Sequence, residues 1–447
     1  MASYLFFDDQ RVFARDNLKR EIGKPVLIED SLYTCDGAQP SGAMARVWKE
    51  NEHSYHLFYQ AFCPNSWTEI LAAHSEDGIH FAPRNTAREA GIPNPRFENQ
   101  VLDIEDAELA SFVDTGKGPG RLKLMVSQYL REERAVDCRM FESDDGIRWT
   151  ESPVKWHKIG TEPCASCFYS KPLDSYILLS RPGWGSRRVC ESRTKDFTSF
   201  TTPELMMQAD ALDEPLSETY GLFGFPYKDA FAGILIMYHA LPSDGVKYMD
   251  GKVDGQLVWS LDGAHWMRSL REPLMKNEPP FEGMLFTSDL RIDEDGSILL
   301  YASGTPHEHG YFKQEGAAIG VYRLREDGFI CLMTDGDGRL RTRETLLKGG
   351  FRVNLTAEKA TCALFDLQNH PIEGFTHEDC APFAGDSTAW TPVWKKDISF
   401  LNGKAVTIEV KLTRGRIFGI TGDFIKMMNS EASRYEKFGV LPAGNNL

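Results

Sequence analysis

The sequence lacks a long apolar run and shows no feature of a secretory signal. In its opening stretch, MASYLFFDDQRVFARDN, the single apolar run is Tyr4–Phe7, which no basic residue precedes and which Asp8 and Asp9 follow at once. A signal peptide needs a basic segment before its apolar core, and a membrane-spanning helix needs about 20 apolar residues. We therefore expect a cytoplasmic protein without a membrane partner.

Cysteine is sparse and odd in number. Nine cysteines are scattered along 447 residues, so at least one is free, which suits a reducing compartment. Cys164 and Cys167 form a C-x-x-C pair, a weak signal without a redox or zinc context. We expect neither a metal nor a cofactor.

The sequence also has fewer basic residues than acidic residues. Lys and Arg total 50 against 65 Asp and Glu, a net charge of −15, which argues against a nucleic-acid partner. The G-x-S-x-G elbow, the G-x-x-x-x-G-K phosphate loop and the Rossmann glycine fingerprint are missing, which disfavours esterases, kinases and dehydrogenases. The hydrophobic content of 42% is that of a soluble globular protein, and the length favours two domains.

What the sequence does contain is a recurring turn. The phrases SEDGIHF, SDDGIRW, TKDFTSF, SLDGAHW and REDGFIC begin at residues 75, 143, 194, 260 and 325, at spacings of 68, 51, 66 and 65 residues. All five keep Asp at the third position, where its side chain can accept backbone hydrogen bonds, and four have Gly next. We interpret them as structural turns.

Apolar, branched and aromatic segments lie between these turns and predict one central strand per repeat. They are YHLFYQAF (55–62), RLKLMVSQYL (121–130), SYILLSRP (175–182), AGILIMYHA (232–240) and SILLYASG (297–304). Spacings of this size fit four-stranded sheets, so residues 1–338 are predicted to form a five-bladed β-propeller that carries the catalytic site. Further strand patterns such as AVTIEVKL predict a β-sandwich over 339–428, followed by a tail over 429–447 that starts with a surface helix. The predicted class is all-β.

The blade turns, the phrase LREDGFICL and the segment DLQNHPIEGFTHEDCAPFAGD together resemble bacterial five-bladed propeller glycoside hydrolases. That group includes families 32 and 43, which cleave fructosides, arabinans and xylans. The resemblance implies a glycosidase with a carbohydrate substrate. The motifs W-M-N-D-P-N-G and R-D-P followed by Glu-Cys are absent, so the three acids of that group are not carried over directly.

Carboxylates recur just before the predicted inner strand of each blade, where they would converge at one end of a propeller. Glycoside hydrolysis needs one acid to protonate the leaving oxygen and a second carboxylate to attack the sugar or to activate water. The second blade also offers Asp103, Glu105 and Asp106. The predicted catalytic residues are Glu218, Glu162 and Glu282, with Asp36 and Asp114 added mainly by analogy with the first- and second-blade acids of the family.

Sugar recognition needs hydrogen-bond donors and aromatic faces. Arg181, Trp184 and Arg188 in SRPGWGSRR fit a pocket rim, with Arg187 beside them, and Tyr220 follows Glu218 closely. The phrase TPHEHG adds His307, with a weaker metal interpretation of its H-x-H pattern. These are the predicted substrate-binding residues.

Three functions remain open at this point. The leading hypothesis is a glycoside hydrolase that acts on a small oligosaccharide or glycoside. The second is a propeller that binds carbohydrate without cleaving it. The third is a sialidase-like enzyme, which needs an arginine cluster and a tyrosine nucleophile such as Arg181, Arg188 and Tyr220. A homo-oligomer is left open.

Overall fold

The computed structural model describes residues 1–32, 39–62, 68–157, 161–183, 185–242, 250–310 and 315–441. Its elements are β-strands with two α-helices and one 3-10 helix, and no helix in these ranges is long and apolar enough to cross a membrane. The chain divides into two compact units. We call Pro25–Arg323 the central unit, and Met1–Lys24 together with Leu324–Leu447 the terminal unit.

The elements are numbered along the chain. The N-terminal part of the terminal unit contains β1 (Ala2–Leu5), β2 (Val12–Asp16) and β3 (Lys19–Ile22). The central unit contains β4 (Val26–Leu32), β5 (Gln39–Asn51), β6 (Ser54–Phe62), β7 (Thr68–Ser75), β8 (Ala82–Pro83), α1 (Thr86–Ala90), β9 (Ala107–Asp114), β10 (Leu122–Leu130), β11 (Ala135–Ser143), β12 (Thr150–Glu151), β13 (Thr161–Ser170), β14 (Ser175–Pro182), β15 (Val189–Thr194), β16 (Glu204–Met207), β17 (Ser217–Tyr227), β18 (Ala230–Ala240), β19 (Gly251–Ser260), β20 (Trp266–Met275), β21 (Met284–Ile292), β22 (Ile298–Thr305) and β23 (Ala318–Leu324). The chain continues with β24 (Ile330–Thr342), β25 (Thr345–Phe365), β26 (Phe383–Trp390), a 3-10 helix (Ile398–Leu401), β27 (Ala405–Lys426) and α2 (Asn429–Phe438).

The central unit consists of five sets of four hydrogen-bonded strands. Sets one to four follow the chain as β5–β8, β9–β12, β13–β16 and β17–β20, and set five contains β21, β22, β23 and β4. A parallel pairing of Val253 with Met284 links sets four and five into one eight-stranded sheet. The early strand β4 closes set five by pairing with β23, so a residue such as Leu27 lies opposite Tyr322.

All five apolar segments found in the sequence lie in the second strands of these sets. The second strand is covered by a neighbour on each edge and by side chains on each face, which is why it is apolar throughout; seven of the nine residues of β6 are buried. The core lies between neighbouring sets. Tyr59 and Leu71 of set one, for example, belong to one buried cluster with Tyr301 and Val321 of set five.

In the first four copies, the recurring turn joins the third strand of a set to its fourth. In the first copy, Ser75 Oγ accepts the N–H of Gly78 at 2.9 Å, while Asp77 Oδ1 accepts those of Ile79 and His80 at 2.8 Å. The same bonds recur at residues 143–148 and 260–265. The glycine has a positive φ in each of these copies, +73° at Gly78, so it supplies a backbone conformation that other residues rarely adopt.

The five first strands, β5, β9, β13, β17 and β21, lie side by side. Serines connect them at mid-length: Ser111 Oγ accepts the N–H of Cys167 at 3.0 Å, and Ser166 Oγ that of Gly224 at 3.1 Å. Ser288 Oγ likewise accepts the N–H of Ala45 at 3.0 Å. We call the end at which these strands begin the upper end, and the end at which they finish the lower end.

The terminal unit contains one seven-stranded sheet in the order β2-β24-β27-β25-β26, with β1 on β27 and β3 on β24. The predicted boundary at 338/339 falls inside β24, and the segment Met1–Lys24 belongs to this unit and not to the central unit. The reason is hydrogen bonding: β2 and β3 both pair with β24. After residue 428 the chain forms α2, which ends at Gly439 (φ +65°) and buries Ala432.

Candidate functional site

Glu218 lies at the upper end as the second residue of β17. Arg187, in the loop between β14 and β15, holds both of its oxygens: the guanidinium donates to Oε2 at 2.6 Å and the backbone N–H donates to Oε1 at 3.2 Å. Both side chains are only about one-fifth exposed. Such a charge-assisted pair is stronger than a neutral hydrogen bond and fixes the carboxylate in place.

Tyr220 lies beside this pair and forms the centre of a cluster. The guanidinium carbons of Arg181 and Arg187 lie 4.4 and 5.0 Å from its ring centroid, within the range of cation–π attraction. Its hydroxyl is 2.9 Å from Nε2 of His309. The ring centroid of Tyr238, on β18, lies 4.8 Å from the guanidinium carbon of Arg187. We call Arg181, Arg187, Glu218, Tyr220, Tyr238 and His309 the Tyr220 cluster.

Glu282 lies at the same end, two residues before β21 begins. Its Oε2 is buried and has no hydrogen-bond partner among the described residues. The next residue, Gly283, abuts the backbone of His307, since a Cβ at position 283 would lie 2.0 Å from the His307 carbonyl. His307 is partly buried, and its N–H donates to Thr305 Oγ1 at 3.2 Å. Burial without a partner is costly for a carboxyl oxygen, and such groups mark candidate functional sites.

Three glutamates occupy equivalent positions on neighbouring strands. Glu108, Glu162 and Glu218 are each the second residue of a first strand, in sets two, three and four. In their hydrogen-bonded registers they lie opposite Ser127, Arg181 and Tyr238. The predictions from the sequence missed Glu108, because the start of β9 was placed too early, at Asp103 to Asp106.

Asp114 is not at the upper end. It is the last residue of β9 and therefore lies at the lower end, where its Oδ2 accepts the indole N–H of Trp48 at 3.1 Å and its Oδ1 accepts the N–H of Gly116 at 2.7 Å. Glu108 and Asp114 are six residues apart on one strand, a separation of about 20 Å.

The other predicted residues are only partly brought together. Arg188 donates to Ser186 Oγ at 2.9 Å, outside the Tyr220 cluster. Asp36 and Trp184 lie outside the described residues, as does the side chain of Glu162. Arg187 and His309, which the sequence placed beside predicted residues, prove to be members of the cluster, and Tyr238 was missed. Tyr238 lies directly opposite Glu218 in the pairing of β17 with β18, which no local sequence signal shows.

A further buried carboxyl lies in set one. Glu69 is the second residue of the third strand, β7, and is fully buried; Arg96 contacts Oε1. Burial raises the pKa of Glu69 to about 7, although Arg96 lowers it and Glu105, Asp106 and Asp103 raise it further. Desolvation is the largest cause of this raised pKa, which favours the protonated carboxyl.

The possible metal ligands of the H-x-H pattern and the C-x-x-C cysteines lie within the described ranges. No group of three or more His, Cys, Asp or Glu there is arranged to hold a metal ion. Cys164 and Cys167 are both buried and not joined in a disulfide, and burial raises the pKa of the Cys167 thiol far above its ordinary value. A raised pKa disfavours the reactive thiolate.

No protein-family model and no curated protein matches this sequence. Solved structures do match. One described as a glycoside hydrolase aligns with a TM-score of 0.47 and 12% identity, over 68% of this chain and 92% of its own. The Bombyx mori GH32 β-fructofuranosidase aligns with a TM-score of 0.42 and 11% identity, over 91% and 94%. The catalytic domain of the Coprinopsis cinerea GH62 α-L-arabinofuranosidase aligns with 0.43 and 10%, over 68% and 97%.

All three are glycoside hydrolases. At 10 to 12% identity, fold does not settle function, and the function is therefore argued from the residues of the upper end.

Proposed function

We propose that this protein is a glycoside hydrolase that cleaves a small oligosaccharide or glycoside with carboxylates gathered at the upper end of a five-bladed β-propeller, with the terminal unit as an appended β-sandwich. The observation that carries the proposal is the equivalence of Glu108, Glu162 and Glu218 on three adjacent first strands, with Glu282 before a fourth. Repeated placement at one end is what a paired-carboxylate reaction needs.

The surroundings of two of these acids suggest different roles. Glu218, held by Arg187 through two hydrogen bonds, suits the charged partner, which attacks the anomeric carbon or removes a proton from the attacking water. Glu282, with a buried oxygen that has no partner in the described ranges, suits the acid. It donates its proton to the glycosidic oxygen as the carbon–oxygen bond breaks, and Glu108 and Glu162 are further candidates for either role.

The first test is incubation with a panel of aryl glycosides and oligosaccharides, including fructosides, arabinosides, neutral pyranosides and acidic sugars, with released sugar measured by chromatography. Once a cleaved substrate is found, Glu218→Gln and Glu282→Gln should each lower kcat at least about 100-fold while substrate binding persists. Glu132→Gln, an exposed carboxyl in the turn after β10, is the matched control. Full activity in both upper-end variants would refute the assignment.

A second candidate function is a sialidase-like reaction in which Tyr220 is the nucleophile. It is favoured by the 2.9 Å contact between Tyr220 and His309 and by the two guanidinium groups around the tyrosine ring. Cleavage restricted to acidic sugars, abolished in both Tyr220→Phe and Arg181→Ala, would support it. A protein that binds sugar but releases none from any substrate would instead be a non-catalytic carbohydrate-binding propeller.

A further inference from the structure

A cavity opens at the lower end of the central unit. It has a volume of about 790 Å³ and lies where the first strands of sets one, two and three finish, with Arg291 of set five at its edge. Its lining includes Trp48, Asp114 and Tyr169. Cavities of about 300 to 1,000 Å³ are the usual size of sites for small ligands, and the length of β9 separates this one from the upper end.

Tyr169 gives this cavity a fixed and exposed aromatic surface. The residue is 42% exposed although it is the last but one residue of β13 and lies between the buried residues Phe168 and Ser170. Its hydroxyl donates to Asp174 Oδ1 at 2.8 Å, and its ring lies 5.2 Å from that of Tyr176, which in turn packs 4.7 Å from Phe197. A ring that is held on one side and at its hydroxyl loses little conformational entropy when a sugar ring stacks on its free surface.

Basic side chains outnumber acidic ones around this tyrosine. Lys49, Lys117 and Lys195 line the cavity with Arg291, whose charge Asp289 neutralises. The acidic lining residues are Asp114 and Asp174.

Both acids already accept hydrogen bonds from within the cavity. Asp114 accepts those of Trp48 and Gly116, and Asp174 those of Tyr169 and Lys195. The Lys195–Asp174 pair is more than 70% exposed on both sides, so it is weak enough to exchange for a ligand anion. A local excess of positive charge in a chain of net charge −15 favours an anionic ligand.

We propose that the lower-end cavity is a second saccharide site that binds a sugar carrying a carboxylate or phosphate group, with Tyr169 stacked on the sugar ring and Lys117 and Lys195 on the anionic group. Binding here requires no turnover. The proposal for this site does not depend on the function proposed for the upper end.

The test is isothermal titration of the full chain with trigalacturonate and with glucose 6-phosphate, with maltotriose as the neutral comparison. We expect one anionic probe to bind and maltotriose to bind at least about tenfold more weakly, and the affinity to fall with added salt. Binding of trigalacturonate alone identifies the carboxylate as the recognised group, and binding of glucose 6-phosphate alone identifies the phosphate.

Variants test whether the anionic probe binds in this cavity. Tyr169→Ala and the double variant Lys117→Ala/Lys195→Ala should each weaken the anionic probe about tenfold or more, equivalent to about 1.4 kcal/mol. Tyr129→Ala, which removes a tyrosine of similar exposure from β10, and Glu218→Gln at the upper end should leave the affinity unchanged. An unchanged Tm shows that each variant is folded. The proposal is overturned if no anionic probe binds, if maltotriose binds equally well, or if only Glu218→Gln weakens binding.

Discussion

Arg46 connects the first strands of the central unit through a single side chain. It is 4% exposed, its Nη2 donates to the carbonyl of Ala110 at 2.8 Å, and its guanidinium also contacts the carbonyls of Ala165 and Ser288. The guanidinium carbon lies 4.8 Å from the ring of Phe223. From set one, this residue therefore reaches sets two, three, four and five. Burial lowers the pKa of Arg46 to about 10, which still leaves the side chain charged at neutral pH.

Replacement of Arg46 should therefore cost far more than an average substitution. Arg46→Met keeps the length of the side chain but leaves three buried carbonyls without their donor, and we expect a loss of about 3 to 5 kcal/mol in the free energy of unfolding. Urea denaturation is the measurement. Arg88→Met, on the exposed face of α1, is the control and should change stability by less than about 0.5 kcal/mol. Equal stability of the two variants would show that the guanidinium is replaceable.

At the scale of elements, the aspartate of the recurring turn is a cap for the turn backbone. Asp77 Oδ1 accepts from two backbone N–H groups and from the Ser75 hydroxyl, and Oδ2 lies 2.6 Å from His80 Nδ1. Although partial burial raises the pKa of Asp77, these hydrogen bonds bring it well below its usual value.

Asp77→Ala should lower the free energy of unfolding by about 1 to 2 kcal/mol at neutral pH, because two N–H groups lose their acceptor. The adjacent exposed Glu76→Ala should change it by less than about 0.5 kcal/mol. Since the folded-state pKa is depressed, the contribution is fully present above the unfolded pKa of about 4 and is lost progressively as the pH falls from there through the folded-state pKa, which lies well below it. Urea titrations at pH 7 and pH 3 check this: the difference between the variants should be smaller at pH 3 than at pH 7, and a difference that stayed equal or grew would contradict the prediction.

The same elements show what a sequence pattern can and cannot predict. The turns and the second strands could be predicted because their signals are local: an Asp-Gly turn and a doubly buried apolar run. The third copy replaces the glycine with Phe197, which adopts φ +64° and is still capped by Thr194. The fifth copy leads from β23 to β24, and β4 supplies the missing strand. That pairing joins residues from opposite ends of the central unit, for which no local signal exists.

Candidate acids were harder to predict than strands, because an error of a few residues in the start of a strand selects a different acid as the one at its upper end. Glu162 and Glu218 could be placed near the start of their strands, because each is the second residue of its strand. In set two, the short acidic stretch before β9 concealed Glu108, while Asp114 belongs to the opposite end of the same strand. Contacts such as Tyr238 with Arg187 depend on pairing between strands, which the sequence does not show.

At the scale of the whole molecule, the terminal unit combines segments from both ends of the chain. Strands β2 and β3 pair with β24, and β1 pairs with β27, although the whole central unit lies between them in the sequence. Periodicity could predict that strands follow residue 340, but it could not assign Met1–Lys24 to them. The entropy of closing so long a loop grows only slowly with length, so tertiary contacts decide the pairing.

The free energy of unfolding of the whole chain should depend on pH for two reasons: the buried carboxyl of Glu69 and the excess of acidic residues. Because burial raises the pKa of Glu69 to about 7, the folded state binds more protons than the unfolded state between about pH 4.5 and 7. The free energy of unfolding therefore falls as the pH rises through this window. The cost of ionising the buried carboxyl is fully present above pH 7 and amounts to about 3 kcal/mol at most. Repulsion within a chain of net charge −15 acts in the same direction.

Glu69→Gln keeps the shape of the side chain and removes its ionisation. We expect the variant to be more stable than the parent protein at pH 8 and about equally stable at pH 5. The free energy of unfolding should therefore fall less steeply with pH in the variant than in the parent protein. Urea unfolding at the two pH values measures this. The control is Glu98→Gln, because Glu98 is an exposed carboxyl on the same connecting segment as Arg96. This variant removes the same formal charge, so it distinguishes the effect of general charge repulsion from the effect of the buried carboxyl. If both variants flatten the profile equally, the slope comes from the net charge; if only Glu69→Gln does, one buried carboxyl accounts for it.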